Sequence, residues 1–384
     1  MGMGLILGVV WLVSCWQSDT YRDLPRAVQT QKQPIRRVRD VATYLATRSA
    51  FHNANHTLAP PTANGWEDVV VDAPNVTDRN TLLVLAHMAT QAYYLEPSAI
   101  PNAPEWHWAS GFGWGEDGLR GHIFTTDDER IVVIALKGTS ASLLPGGKSG
   151  QRDKENDNLL FSCCCARVNK DWTPVCDCYR DPDQCDSTCL SRALLEKSLY
   201  YPAATDMYNN LSYTYPTSQI WITGHSLGGV LASFLGITFG VPAVAFESPG
   251  DRLAAQRLHL PLPPANWPDQ DAYAMAPVTH VYNTADSLAT GQCRGPYSLC
   301  SRTGYAMEAK CHVGRSIIYD TTYYLGWSVG VLPHRITQLT SDLLAEDWHL
   351  RVLRAGRQPA DGLGPVPIPR RESQCEDCEQ WQFP

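Results

Sequence analysis

The sequence predicts an α/β-hydrolase fold carrying a cysteine-rich, disulfide-bonded insertion. Three observations support this. Residues 219–236 read QIWITGHSLGGVLASFLG, where an apolar, β-branched run passes through Gly224-His225-Ser226-Leu227-Gly228 into helical apolar spacing. Other runs that suit buried strands, 130–136, 241–246 and 279–283, alternate with helical or loop segments. Seven of the 13 cysteines crowd between Cys163 and Cys189, too dense a group for a reducing compartment.

The spacing of the first motif has a chemical reason. Small residues two before and two after Ser226 let the backbone turn sharply between strand and helix. The hydroxyl then stands clear of the sheet edge. The next amide, that of Leu227, starts a helix and can donate to a developing oxyanion. An ordinary Gly-Ser turn would match the same pattern. The strand before it and the helix after it make this one a candidate nucleophile elbow.

Residues 1–16 are apolar almost throughout, and 1–17 read as a signal anchor or a cleaved signal peptide. The run is shorter than the roughly 20 residues that span a bilayer. Basic residues follow it, from Arg22 to Arg39. Residues 18–65 are polar and read as a lumenal stem. The hydrolase domain is expected over 66–355. Within it, residues 66–72 suit a strand, and 81–95 place Leu82, Leu85, Ala86, Ala89 and Tyr93 at helical spacing. Trp106, Trp108, Phe112 and Trp114 sit among glycines and read as core, with an interfacial aromatic patch as the alternative. Residues 121–125 and 130–136 suit paired strands. Residues 143–158 are Gly-rich and charged, read as loop, and open the cysteine-rich insertion 143–190. Residues 191–211 and 335–344 suit helices. The tail, 356–384, begins Pro- and Gly-rich. It ends in Cys375-Glu376-Asp377-Cys378, which reads as a terminal staple because no βα pattern follows it.

Hydrophobic content of 44% and charged content of 18% place the chain among globular proteins. A net charge of −8 offers no basic face for nucleic acid. Sequons at Asn55, Asn75 and Asn210 join the cysteines in favouring the secretory pathway and glycosylation. The odd cysteine count leaves one unpaired, and Cys15 is the expected one. Cys176-x-Cys178 and Cys185-x3-Cys189 lack the paired C-x2-C spacing of structural zinc, so disulfides are expected, with no metal and no cofactor.

A serine hydroxyl attacks only when a base takes its proton, and the base needs an orienting carboxylate. After an elbow the order along the chain is Ser, then Asp or Glu, then His. The acids at expected strand ends are Glu247, Asp251 and Asp286. Asp286 follows the strand 279–283 and is the expected triad acid. Asp251 comes one strand early, beside Arg252, a surface partner. Among the histidines, His280 precedes the acid, His312 adjoins Cys311 and reads as structural, and His349 lies at a polar helix end. His334, after Pro333 and before a helix, is the expected base. His225 should pack beneath the turn. The second oxyanion amide is expected from Thr139, just past the strand 130–136.

Several blocks carry a resemblance. LAHMATQAYYLE, IVVIALKGT, WITGHSLGGVLASFLG and VYNTADSL, with the segment up to His334, resemble fungal class 3 lipases. FESPGDRLAAQRLHLP, CRGPYSLCSRTGYAMEAKCHVG, the CCC cluster and the terminal CEDCEQW are similar to the autophagic-body lipases within that family. The resemblance runs from about residue 66 to the C-terminus. It implies Ser226, Asp286 and His334 as the triad and membrane phospholipids and triacylglycerols as substrates. It also implies a type II membrane protein of endosomes and multivesicular bodies, delivered to the vacuole to disintegrate autophagic bodies. A soluble secreted esterase or peptidase of the same fold is the alternative, and a fold that has lost its chemistry and only binds is a third.

Overall fold

Strands and helices alternate along the chain. In order they are β1 (Thr30–Val38), α1 (Val41–His52), β2 (Trp66–Pro74), α2 (Arg79–Gln91), β3 (Trp106–Phe112), β4 (Gly121–Thr126) and β5 (Ile131–Leu136). Next come α3 (Gly150–Phe161), β6 (Tyr179–Asp181), β7 (Gln184–Cys185), α4 (Ser187–Lys197), α5 (Tyr200–Thr214), β8 (Gln219–His225) and α6 (Leu227–Phe239). The last group is β9 (Ala243–Phe246), α7 (Arg252–Arg257), β10 (Val278–Asn283), α8 (Leu299–Thr303), β11 (Arg315–Tyr319), α9 (Thr321–Leu325), α10 (Ile336–Gln338), a π-helical turn (Leu339–Leu343) and α11 (Trp348–Arg354). This computed structural model describes residues 28–52, 65–115, 118–140, 150–167, 174–197, 200–262, 276–295, 297–372 and 374–384. The expected N-terminal segment 1–17, with Cys15, and the sequon at Asn55 lie outside the described residues.

Seven strands form one sheet in the order β11-β10-β9-β8-β5-β4-β3. From β11 to β5 all neighbours are parallel. β4 and β3 continue the sheet antiparallel. Parallel strands covered on both faces should be apolar, as β5 is throughout and β8 is from Ile220 to Ile222. Val132, Ile134 and Leu136 of β5 enter one core with Ile220 and Ile222 of β8. Val133 and Ala135 enter the other with Trp221. Tyr201 and Tyr208 of α5 and Val230, Leu231 and Phe234 of α6 cover the first face. Leu82, Leu85 and Met88 of α2, with Leu339, Leu343 and Trp348, cover the second. Each large apolar side chain so buried contributes about 1.5–3 kcal/mol before the ordering cost is subtracted. The mixed sheet between two helical layers, with the elbow at the end of β8, is the expected α/β-hydrolase fold.

The lead-in is not a separate stem. β1 pairs antiparallel with β2, from Thr30 opposite Pro74 to Val38 opposite Trp66. Arg36 forks onto Asp68 with two bonds of 2.7 Å. From α1, the Tyr44 hydroxyl donates to the His259 carbonyl, and Arg48 Nε donates to the Leu258 carbonyl at 2.7 Å. The boundary at residue 65 therefore moves, and residues 28–52 belong to the folded domain. In β1 only Ile35 and Val38 are buried apolar residues, and its other side chains are mostly charged or polar.

The stretch 143–158, expected as loop, is helical over its described part, in α3. Up to Asn158 the side chains that α3 buries are polar, and only its last turn, Leu159 to Phe161, is apolar. Asp153 accepts from the Tyr200 hydroxyl at 2.6 Å and from the Ser140 amide at 2.9 Å, and Asn158 donates to the Gly304 carbonyl at 3.0 Å. Apolar periodicity does not register a helix of this kind.

Six disulfides join Cys163 to Cys378, Cys164 to Cys185, Cys165 to Cys176, Cys178 to Cys189, Cys293 to Cys300 and Cys311 to Cys375. The insertion thus has a core of sulfur, Leu190 and Ala193, packed by Tyr179, Trp381 and Phe383. The two tail cysteines do not bond each other. They fasten the tail to the domain at Cys311 and Cys163. Gln382 also pairs with the insertion hairpin, accepting from the Cys185 amide at 2.9 Å and donating to the Asp183 carbonyl at 2.7 Å. The tail 356–384 is part of the fold. Among the tryptophans, Trp106 is core as expected, whereas Trp108 is exposed and donates to His122 Nδ1 at 3.2 Å. Among the described residues no helix is long and apolar enough to cross a membrane.

Candidate active site

β8 ends at His225 and α6 begins at Leu227, so Ser226 alone turns the chain. Its φ of 57° and ψ of −128° lie outside the regions that side-chain-bearing residues favour. The turn holds this strain by packing backbone on backbone. A Cβ on Gly224 would meet the Gly228 carbonyl oxygen at 2.2 Å, and one on Gly228 would meet the Leu136 oxygen at 2.3 Å. The Ser226 amide donates to the Phe246 carbonyl at 3.0 Å, and the Ser226 carbonyl accepts the Gly229 amide at 2.9 Å.

Ser226, His334 and Asp286 meet as the sequence predicts. Ser226 Oγ lies 2.8 Å from His334 Nε2, and His334 Nδ1 lies 2.7 Å from Asp286 Oδ2. With Asp286 ionised, Nδ1–H donates to the carboxylate and Nε2 accepts the serine proton. Burial alone would raise the Asp286 carboxyl, but His334 and the hydrogen bonds around it outweigh burial and hold it below its ordinary range. The Leu288 amide fixes Oδ1 at 2.8 Å. The loops carrying Asp286 and His334 are stitched together. The Gly330 amide donates to the Ala285 carbonyl and the Ser287 amide to the Gly330 carbonyl, both at 3.0 Å.

His225 lies beneath the turn, as expected, and has a definite task. Burial, with His334 adding to it, pushes its imidazole down to about 3, so it is neutral. Nε2–H donates to the His334 carbonyl at 2.7 Å, and Nδ1 accepts from the Tyr93 hydroxyl at 2.6 Å. The Tyr93 oxygen in turn accepts from the Gly138 amide. Tyr93 thus connects the loop after β5, through His225, to the segment of His334. Its only signal in the sequence is a helical apolar spacing, which gives no hint of this role. Thr139 on the same loop anchors its hydroxyl on Asp157 Oδ2 at 2.7 Å, and Leu227 opens α6 directly after the serine.

Behind Asp286 lies a polar layer. Asn283 Nδ2 donates to Glu247 Oε1 at 2.9 Å and to the Pro333 carbonyl at 3.0 Å. Asn283 Oδ1 accepts the Ala285 amide at 3.0 Å. One side chain therefore holds the residue before Asp286 and the residue before His334. Glu247 is fully buried, and its carboxyl is hydrogen-bonded to that of Asp286.

The other candidates lie elsewhere. Asp251 is fully buried and not a surface partner of Arg252. It accepts from the Ser233 hydroxyl and from the Val313 amide at 2.9 Å, and sits 3.3 Å from His280 Nε2. His312 is structural, as expected, with Nδ1 2.8 Å from Glu372 Oε1. His349 Nδ1 pairs with the Leu363 carbonyl at 2.9 Å. Asn210 is exposed on α5, and Asn75 holds the turn to Thr77, whose amide donates to it at 3.1 Å. Among the described residues, the close groups of metal-ligating side chains are Cys164, Cys165 and Cys185, and Cys165, Cys176 and Cys178, all in disulfides.

Residues 167–243 match the profile of the lipase (class 3) family. A Mycosarcoma maydis protein named "Putative lipase ATG15" is 49% identical over 399 residues, covering 94% of this chain and 77% of that protein. A Cryptococcus neoformans protein of the same name is 49% identical over 298 residues, covering 76% of this chain, which spans 56% of its length. Among solved structures, the Lip2 lipase of Yarrowia lipolytica overlaps 64% of this chain and 80% of its own at 14% identity, with a TM-score of 0.34.

Proposed function

We propose, from the premise that this chain belongs to the ATG15 family of class 3 lipases, that it hydrolyses ester bonds of membrane phospholipids and triacylglycerols with Ser226 as nucleophile, His334 as base and Asp286 as orienting acid. The observation that carries this reading is the hydrogen-bonded chain Ser226–His334–Asp286 ending on a strained elbow serine. Ser226 Oγ attacks the ester carbonyl while His334 Nε2 takes its proton. Asp286 stabilises the imidazolium through Nδ1–H. The carbonyl oxygen becomes an oxyanion, for which the Leu227 and Thr139 amides are the proposed donors. Collapse expels the alcohol, which takes the proton from His334 and leaves an acyl-serine. Water, deprotonated by His334, then attacks the acyl carbon, and the fatty acid departs as Ser226 recovers its proton.

The lipid substrate is supported by exposed apolar residues close in sequence to this machinery. Tyr94 and Leu95 follow Tyr93, and Val329 and Leu332 lie on the segment leading to His334. Such residues suit contact with acyl chains or a bilayer surface. The wider reading is a glycosylated type II membrane protein of endosomes and multivesicular bodies. It would be anchored by residues 1–17, carry glycans at Asn55, Asn75 and Asn210, and lyse autophagic bodies and intravacuolar vesicles in the vacuole. The test offers purified protein liposomes of phosphatidylcholine with triolein, a short soluble ester and a peptide amide. Fatty acid release from liposomes that depends on Ser226 is the expected result. Cleavage of the soluble ester or the peptide with liposomes untouched would replace this reading by the esterase or peptidase one.

A further inference from the structure

The carboxyl groups of Glu247 and Asp286 are both fully buried and are hydrogen-bonded to each other. Two carboxylates in such contact cannot both be ionised, so the pair holds one proton. The surroundings decide which member keeps it. Asp286 faces the Nδ1–H of His334 at 2.7 Å and the Leu288 amide at 2.8 Å, donors that favour an anion. Glu247 faces the neutral amide of Asn283, which reaches Oε1 at 2.9 Å, while the Asn283 backbone amide reaches Oε2 at the longer distance of 3.3 Å. The negative charge therefore rests on Asp286 and the proton on Glu247.

We infer that Glu247 is a positioning residue, a buried carboxylic acid whose O–H donates to Asp286 and fixes the carboxylate that orients His334. This inference rests on the triad reading above and adds a fourth member to it. Burial first, and the charge of Asp286 second, hold the Glu247 carboxyl well above the usual range, in agreement with the geometry. The backbone at Glu247 has a φ of 43°, a conformation that costs a residue with a side chain energy and persists only where the surroundings enforce it. Glu247 closes β9 as Ser226 closes β8, and the Ser226 amide is bonded to the residue just before it, Phe246. The elbow and the acid's support therefore come from adjacent strand ends.

The arrangement has a functional consequence. With Glu247 protonated, Asp286 carries one charge and presents Oδ2 to His334. If Glu247 loses its proton, a second negative charge appears under Asp286, and one of the donors that fix Asp286 is gone. Among the described residues, the other titratable groups that interact with the pair are His334, His225 and, from β11, Tyr319. All three remain in a Glu247 variant, so a change confined to the variant reports on Glu247.

The test uses the purified chain as Glu247→Gln and Glu247→Leu, with Ser226→Ala and Asp286→Asn in parallel. kcat and KM on a soluble ester are measured across pH, together with Tm. Glu247→Leu removes the donor and should lower kcat about 10–100-fold with KM nearly unchanged. Glu247→Gln supplies an amide N–H in place of the acid O–H. It should keep kcat within about threefold at neutral pH, and keep it at alkaline pH where the wild type declines. A wild-type-minus-Gln infrared difference spectrum at neutral pH should show the carbonyl stretch of a protonated carboxylic acid. If Glu247→Leu fails to fold, the Gln profile and the infrared band decide. Absence of that band, or a natively folded Glu247→Gln as inactive as an Asp286 variant, overturns the inference. So does a folded Glu247→Leu with wild-type kcat beside inactive Ser226→Ala and Asp286→Asn. Activity retained by Ser226→Ala or Asp286→Asn would instead defeat the triad reading itself.

Discussion

His334 Nε2 stands 2.8 Å from Ser226 Oγ across a separation of 108 residues. Such a meeting needs both loops to be held. The serine is held by the elbow, and the histidine by the His225 bond to its carbonyl and the Asn283 bond to the Pro333 carbonyl.

Asp286→Asn should keep the fold and lose activity. An amide at this position favours the wrong tautomer of His334, so that Nε2 carries the proton and cannot accept one from Ser226. A loss in kcat on the order of 10³–10⁴ is expected, with near-native Tm. Combining it with His334→Ala should cost little more than the worse single change, because the two act as a unit. Steady-state kinetics on a soluble ester checks both statements, and multiplied losses would separate the residues.

Gly228→Ala should damage structure and chemistry together. The new Cβ would meet the Leu136 oxygen at 2.3 Å and the Lys137 carbonyl carbon at 2.7 Å, both backbone atoms. Relief would push the elbow away from the loop that carries Thr139. A loss of about 1–3 kcal/mol, or more if the strand end resists, is expected by denaturant titration. An alanine variant of wild-type stability and rate would show that the elbow does not need this close approach.

The disulfides should differ in weight. Cys163–Cys378 spans a sequence separation of 215, whereas Cys293–Cys300 spans 7. The chain-entropy relation gives about 5 kcal/mol for the first and about 2 kcal/mol for the second. Paired Cys→Ser variants compared by Tm should show the larger fall for Cys163/Cys378, which also frees the tail from the insertion. Equal falls would mean that native contacts, not loop closure, dominate.

The His312–Glu372 pair predicts a pH window for stability. Burial alone would lower His312, but Glu372 overcomes it and lifts the imidazole to about 9. Burial alone would raise Glu372, but His312 overcomes it and holds the carboxyl well below its ordinary range. A raised histidine contributes fully below its unfolded value of about 6.5 and loses that contribution as pH rises through about 9. A lowered carboxyl contributes fully above its unfolded value of about 4.5 and loses it as pH falls. The pair is therefore most effective between about pH 4.5 and 6.5. Glu372→Gln leaves a buried cation without its partner and should cost about 3–5 kcal/mol in that window. Its Tm deficit should shrink toward both pH extremes, and a deficit independent of pH would contradict the pairing.

The central sheet and the Ser226–His334–Asp286 geometry were legible because each left a local signature. β5 is an unbroken apolar run, β8 carries the apolar Ile220-Trp221-Ile222, the elbow is a fixed spacing of small residues, and Asp286 and His334 follow in the order that the fold requires. What was not legible lies where burial is polar or pairing is distant. α3 buries Asp153, Asn156 and Asp157, so its sequence looks like a charged loop. β1 is a polar strand completed by β2 across a long connection. The tail looked separate because nothing near Cys375 and Cys378 shows that their partners are Cys311 and Cys163. Glu247 was visible as an acid at a strand end, but its contact with Asp286 depends on the neighbouring strand. Tyr93 and Asn283 act through the hydrogen bonds of one hydroxyl and one amide group, which no periodicity reveals.

The most direct measurement of the account is fatty acid release from phospholipid liposomes by wild-type protein and by Ser226→Ala of matching Tm. Wild-type protein should release fatty acid and be labelled by a serine-directed fluorophosphonate. The alanine variant should take no label and lose activity on the order of 10⁶-fold, which is to background. A folded Ser226→Ala protein that still releases more than a few per cent of the wild-type fatty acid would contradict the assignment of the nucleophile, and with it the mechanism proposed here.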